Sequence, residues 1–215
     1  MDSFKATAYS YIKDKIITCQ YKPGDVLDLN AIKNQLNISR TPVRDAITTL
    51  EQERFVTVLP RRGVLVANIT PKDIGDLYMI REQLEPFIAR LAVSLAHKEK
   101  LLQFKELFLS QSGNMRDFNR LDLEFHSYLI QLVGNPYISS VMNLVLDHNM
   151  RFVVLGAQLP NRLEHSNDEH VQILNALVSR DEKAAEELMR EHIKYARVSA
   201  FESMSLSPAM VGNIY

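Results

Sequence analysis

The chain is short of the residues that make crosslinks and loops. Its one cysteine, Cys19, excludes an intrachain disulfide framework and a cysteine-rich zinc fold. Seven glycines and eight prolines among 215 residues are too few for a loop-rich all-β chain. Neither charge sign is in excess: 25 Lys and Arg stand against 26 Asp and Glu, a formal net charge of −1. Taken alone, that balance argues against nucleic acid as a partner. Long apolar runs are missing too. The longest, such as Phe152 to Ala157, fall far short of a bilayer span. The N-terminal stretch MDSFKATAYSYIKDK lacks the apolar core of a secretory signal. With 46% hydrophobic and 24% charged residues, the composition is that of a folded chain and excludes collagen-like or mainly disordered ones. The expectation is a soluble, cytoplasmic protein of one or two domains with no membrane partner.

The near-zero charge hides an asymmetry. Residues 1–70 carry ten Lys/Arg against seven Asp/Glu, whereas residues 71–215 carry fifteen against nineteen. A mildly basic front and an acidic rear fit two domains with different tasks. The front begins with apolar residues at helical spacing from Phe4 to about Cys19, then breaks at Pro23-Gly24. A short helix follows over Leu29 to Leu36, and Asn37-Ile38 turns the chain. Ser39 or Thr41 is placed to cap a third helix, with Pro42 in its first turn. That helix is expected to reach about Arg54 and to bury Val43, Ala46, Ile47 and Leu50. Two β-prone runs, from Phe55 and from Val64, flank Pro60-Arg61-Arg62-Gly63 and predict a hairpin. Helices, a turn, a further helix and a hairpin in this order make a winged helix-turn-helix.

From Thr70, the expected cap of the next helix, the pattern is helical throughout. Six segments are expected, near 71–96, 98–111, 115–133, 136–157, 162–179 and 181–204, with Pro86 kinking the first. Gly113-Asn114, Gly134-Asn135-Pro136, Leu159-Pro160-Asn161 and Arg180-Asp181 separate them. The fold class is therefore mainly α. A winged helix-turn-helix over 1–70 precedes an all-α antiparallel bundle over 71–204, and residues 205–215 form a tail, disordered or exchanged with a neighbour.

On the third helix the apolar stripe leaves Arg40, Thr41, Arg44 and Thr48 on the opposite side. Arg40 and Arg44 are one turn apart near the N-terminus, where a recognition helix meets the major groove. Arginine can bond guanine O6 and N7 together. Ser39, Thr41 and the first backbone N–H groups suit phosphate oxygens. Arg61 and Arg62 stand at the wing tip, for the minor groove or phosphates, and Gly63 lets the backbone come close. The plainer alternative is a solvated basic face. The string NQLNISRTPVRDAITTLEQERFVTVLPRRGVLVA, above all Ser39-Arg-Thr-Pro-Val-Arg-Asp-Ala46, then Leu50-Glu51 and Arg62-Gly63, closely resembles the N-terminal domain of GntR-family bacterial transcription regulators. The resemblance covers about residues 5–68. It implies DNA contact at Ser39, Arg40, Thr41, Arg44 and Gly63. One position departs: Asn30 stands where many members carry an arginine.

The rear domain holds a second constellation. Asp122 and His126 are four apart on one helix, on a face that continues through Leu129 and Val133. His170 begins a stripe with Ile173, Leu174 and Leu177, and His192 is assigned to a stripe with Leu188 and Tyr195. Titratable groups facing a core need partners. A shared divalent cation is one solution, and the set suits zinc, nickel, manganese or iron. Five or six coordination would leave room for water or an effector carboxylate; tetrahedral zinc would not. The other solution is that each ring bonds a core carbonyl or carboxylate. His148 and His165 are expected at or near the surface, His97 as a cap, and Cys19, Met142 and Met150 as packing.

Residues 73–200 resemble the FCD effector domain of the FadR subfamily of GntR regulators. The resemblance is carried by Arg81-Glu-Gln-Leu-Glu85, by Asp122 and His126 with Phe125 between them, by Gly134-Asn135, by His170 and by His192. It implies a divalent metal on Asp122, His126, His170 and His192. It implies an effector carboxylate facing Arg81, whose plainer role is a helix-surface ion pair with Glu82 or Glu85. It also implies a homodimer on a pseudo-palindromic double-stranded operator, usually as a repressor, with a small organic acid as effector. Two other readings compete. One is a metal hydrolase or lyase, disfavoured because Glu124 and Glu169, the acids beside the ligands, are expected to point elsewhere. The other is a DNA-binding dimer whose rear domain is purely structural.

Overall fold

The structure, a computed structural model, describes residues 3–110, 115–156, 159 and 162–206. Two compact units divide it, one ending at Thr70 and one beginning at Pro71.

In the first unit α1 (Phe4–Ile17) starts at Ser3, whose hydroxyl accepts from the Ala6 N–H at 3.2 Å. It buries Ala8, Ile12 and Ile16, one per turn. The helix stops two residues before Cys19, which is buried but has φ 54° and lies outside α1. α2 (Leu29–Leu36) is capped by Asp28, which accepts from the Asn30 and Ala31 N–H groups. Such a cap contributes about 1 kcal/mol. Asn37, at φ 51°, ends it in the left-handed conformation. α3 (Arg40–Gln52) buries Val43, Ala46, Ile47 and Leu50, and ends before Arg54, which has φ 63°. Ser39 occupies its N-cap position, but neither hydroxyl of the expected pair caps: the Ser39 side chain makes no capping bond, and Thr41 lies inside the helix.

β1 (Val56–Leu59) and β2 (Gly63–Val66) form the antiparallel wing, with Val56 opposite Val66 and Leu59 opposite Gly63. Arg61 at φ 66° and Gly63 at φ 95° turn the chain. A third segment lies along β2, unannounced by the sequence pattern. The Leu27 N–H donates to the Val64 carbonyl at 2.8 Å, and the Val66 N–H to the Asp25 carbonyl at 2.9 Å.

The second unit is a bundle of α4 (Pro71–Leu95), α5 (Lys98–Ser110), α6 (Met115–Val133), α7 (Pro136–Leu155), α8 (Arg162–Val178) and α9 (Glu182–Leu206). α4 packs along α9 and α6, and α8 lies between α5 and α9. α4 is continuous through Pro86. Asn135 caps α7, with Pro136 in the first position, where its missing N–H costs nothing. Phe104, Phe108, Phe118 and Phe125 make an aromatic core; the Phe104 and Phe125 rings meet edge to face at 5.6 Å. Arg180, in the turn before α9, donates to the carbonyls of Val93 and Ala96 and so satisfies carbonyls at the C-terminal end of α4. Gly113-Asn114, Pro160-Asn161 and the tail from residue 207 lie outside the described residues. Ser205 and Leu206, expected in the tail, belong to α9.

Among the described residues no helix is long and apolar enough to cross a membrane.

Candidate metal centre

Four side chains from three helices meet inside the second unit. Asp122 and His126 leave α6 one turn apart, His170 leaves α8 and His192 leaves α9. One ligand atom from each lies within 4.8 Å of all the others. The Asp122 Oδ1 is 3.1 Å from the His170 Nε2 and 3.7 Å from the His126 Nε2. The two Nε2 atoms are 3.4 Å apart. The three rings are buried, and Phe108 stacks on His170 with centroids 4.4 Å apart.

His192 reaches this point along a different stripe from the expected one. Ala185, Met189, His192 and Ile193 are the buried residues of α9, whereas Leu188 is half-buried and Tyr195 exposed. The shift is one residue in register, about 100° around the helix.

Each ring is held from behind. The His170 Nδ1 donates to the Ser166 carbonyl at 2.7 Å. The His192 Nδ1 donates to the Glu169 Oε2 at 2.7 Å. The His126 Nδ1 faces the Glu85 Oε2. With each Nδ1 engaged outward, the lone pair of each neutral ring is on Nε2, the atom aimed inward. Glu169 is itself gripped by Arg162 through two bonds of 2.9 and 3.2 Å. Glu85 is paired with the buried Arg81, Nε to Oε1 at 2.5 Å. The rings therefore meet core acceptors outward through Nδ1 and still converge inward, so the outward contacts leave the inward side open to a cation.

The charges respond to this packing. Burial alone would raise the Asp122 carboxyl, but the His126 and His170 imidazoles overcome it and hold it well below the usual carboxylate range. Burial pushes His192 down to about 3, with His170 adding to it against the pull of Glu169. Burial lowers His170 as well, against the raising effect of Asp122. His126 goes the other way: burial lowers it, and the Glu85 and Asp122 carboxylates more than reverse that. Glu85 lies at about 2, because Arg81 and His126 outweigh its burial. Burial thus favours the neutral form of His170 and His192, the form that binds a metal, while the carboxylates beside His126 favour a proton on that ring, which a cation would displace.

The sequence reading missed the two outer carboxylates, Glu169 and Glu85. Glu169 does not point away from the site; it fixes the His192 ring. Arg81 is not on the helix surface; it is 2% exposed and forms one chain with Glu85 and His126. Its guanidinium lies 5.1 Å from the Tyr78 ring centroid. Arg81 also lines a cavity of about 120 Å³ beside the cluster, together with Tyr78, Asp122, Arg162 and His192. Glu124 is exposed and faces Arg120. His165 is exposed, His148 lies 3.4 Å from Arg151, and the His97 carbonyl accepts from Lys100 and Leu101 at the start of α5.

In the first unit Ser39, Arg40, Thr41 and Arg44 are exposed at the start of α3, on the face away from its buried stripe. Arg61, Arg62 and Gly63 are exposed at the wing tip, and Asn30 at the start of α2. Exposed cations thus stand on the helix and on the wing of the same unit.

Comparisons with known proteins match both units. Residues 4–66 match the family described as bacterial regulatory proteins, gntR family, and residues 76–195 match the FCD domain. The chain is 24% identical over 201 residues to the HTH-type transcriptional repressor GlaR of Escherichia coli, covering 86% of this chain and 90% of that one. It is 27% identical over 182 residues to the Nta operon transcriptional regulator of Aminobacter aminovorans, covering 83% and 85%. Its fold is that of a crystal structure of a GntR regulator from Rhodococcus sp. RHA1, with a TM-score of 0.79 at 22% identity, covering 93% of this chain and 98% of that one. The family and these relatives are transcriptional regulators, not enzymes.

Proposed function

Because the chain belongs to the gntR family of bacterial regulatory proteins and carries an FCD domain, we propose that it is a cytoplasmic, homodimeric repressor whose hold on its operator is set by a small carboxylic acid at a divalent-metal site. One observation carries the reading. Three buried imidazoles have their Nδ1 atoms engaged outward and their Nε2 atoms gathered around the Asp122 carboxylate. A carboxylate and three inward-facing ring nitrogens so arranged call for positive charge among them, which a divalent cation supplies in place of ring protons.

The donor set fits a divalent cation. Asp122, His126, His170 and His192 would hold it, and the set is compatible with zinc, nickel, manganese or iron. When bound, the cation supplies a concentrated positive charge at which an effector carboxylate can complete the coordination. The remaining work belongs to the chain. Glu85 and Glu169 fix two of the rings, and Arg81 offers its guanidinium at the cavity wall. Arg81 sits on α4, which begins at Pro71, directly after the first unit in sequence. A change in the contacts of Arg81 therefore acts on the helix that follows the DNA-binding head. In a dimer on a pseudo-palindromic operator, affinity depends on the spacing of two heads. The acid must bind the two states unequally, since otherwise it shifts nothing.

On the DNA side, Arg40 and Arg44 read bases in the major groove, Ser39 and Thr41 hold phosphates, and Arg61, Arg62 and Gly63 bring the wing to the backbone or minor groove.

The test is fluorescence anisotropy on duplexes selected by the purified protein from a random pool. The metal-loaded protein should release its selected duplex on addition of a small carboxylic acid, and the His170→Ala variant should not respond. Operator affinity indifferent to metal, chelator and acids would leave the second unit as a dimerisation domain only.

A further inference from the structure

We infer that Glu51 is a positioning residue of the DNA-binding head: its carboxylate ties β1 to α3 and so fixes where the wing tip stands relative to the arginines of α3. The inference rests on the DNA reading above and adds the part that aligns its two contact surfaces.

The hairpin is anchored at its base. Phe55, Val56, Val64 and Val66 are buried, whereas none of the residues from Thr57 to Arg62 is. β2 is fastened along its outer edge, where the Leu27 N–H meets the Val64 carbonyl and the Asp25 carbonyl takes the Val66 N–H. The opposite edge of the sheet belongs to β1. The Ala67 N–H donates to the Phe55 carbonyl, and antiparallel strands exchange bonds at alternate residues. Thr57 and Leu59 therefore face β2, opposite Leu65 and Gly63, and the Val58 N–H points outward. A two-stranded ribbon without a core of its own holds its direction poorly.

Glu51 takes up that outward group. Its Oε1 accepts from the Val58 N–H at 2.9 Å, across seven residues of sequence. The contact falls between the buried start of β1 and the tip that carries Arg61 and Arg62. It also falls on a particular side of α3. Arg40, Arg44 and Glu51 stand at i, i+4 and i+11, within about 40° of one line along the helix. The carboxylate thus holds the wing on the side of α3 that carries both arginines. A negative charge beside phosphates is unfavourable, so what Glu51 contributes to binding comes through the strand it holds. A gap between helix and wing that is set in advance spares the complex the cost of ordering the hairpin on DNA.

Two variants of equal charge isolate the bond. Glu51→Gln keeps an acceptor for the Val58 N–H, and Glu51→Ala does not. Glu51 and Val58 are exposed, so water can take the acceptor's place and both variants should fold. The full-length proteins are titrated by anisotropy on the selected duplex over a range of salt. Glu51→Gln should bind at least as tightly as the parent. Glu51→Ala should bind about fivefold more weakly than Glu51→Gln, the net worth of one hydrogen bond. Its salt dependence should be lower by about one phosphate contact. In a background carrying both Arg61→Ala and Arg62→Ala, the difference between the two should shrink below about twofold, because a wing without its cations gains little from alignment. Equal affinity of Glu51→Ala and Glu51→Gln would overturn the inference and leave the DNA reading in place. So would a difference that persists undiminished in that background, since a contact that only stabilises the fold is indifferent to the wing arginines. If Arg61→Ala and Arg62→Ala together left binding of the selected duplex unchanged, the wing reading would fail and the inference with it.

Discussion

His192 and Glu169 form one unit across two helices: the ring Nδ1 on α9 donates to the carboxylate Oε2 on α8 at 2.7 Å, and Arg162 holds that carboxylate in turn. Glu169 immediately precedes His170 in the chain, so adjacent residues of α8 serve the cluster in different ways, one through its Nε2 and one from behind another ring. Glu169→Ala therefore keeps all four ligands and loses the orientation of one. Metal affinity should fall about 10–100-fold, as for other outer hydrogen bonds to ligand histidines. Competition with a chromogenic chelator measures this. An unchanged affinity would mean that packing alone holds the ring.

The two sets of arginines in the first unit should separate under mutation. Arg40→Ala or Arg44→Ala should cost about 1–3 kcal/mol on the selected duplex and relax base preference at one position. Arg61→Ala or Arg62→Ala should weaken all duplexes alike and reduce the salt dependence by about one phosphate contact. Anisotropy titrations over a range of salt, on selected and scrambled duplexes, distinguish the two patterns. Uniform loss in all four variants would remove any base-reading role from α3.

Acid should act on the metal-free protein through Glu85. Its folded value is about 2, below the ordinary 4.5, because Arg81 and His126 outweigh its burial. A depressed carboxyl stabilises the fold above its unfolded value and loses that contribution as pH falls through the folded value. Stability of the metal-free protein should thus decline between about pH 4.5 and 2. Glu85→Gln should be less stable at neutral pH and show a shallower decline over that window. Urea unfolding at a series of pH values checks this; parallel curves for the two proteins would contradict it.

Much of this was legible in sequence for a physical reason. α2 has its expected bounds because a polar turn closes it and a capping carboxylate opens it at Asp28. α6 and α7 are separated by Gly134, at φ 64°, and by the Asn135 cap, both readable from residue type. The exposed arginines of α3 were recognisable because they oppose a clean apolar stripe. The outer carboxylates were not. Glu85 meets His126 through the packing of α4 on α6, and no local spacing encodes that contact. A signal did exist: Tyr78, Arg81, Glu85 and Ile88 fall on one buried face of α4, and a charged pair on an apolar stripe calls for a buried partner. The strand-like pairing of Asp25 and Leu27 with β2 was hidden because that segment lacks strand alternation of its own.

The proposed role of the second unit depends on one claim: Asp122, His126, His170 and His192 hold a metal. It is tested most directly by native mass spectrometry of the freshly purified protein, prepared without a histidine tag or chelator. The predicted result is a dimer with one divalent metal per chain, reduced to a metal-free dimer by His170→Ala. A wild-type dimer that carries no metal, even after incubation with zinc, nickel and manganese, would contradict the claim and leave the cluster a hydrogen-bonded polar core.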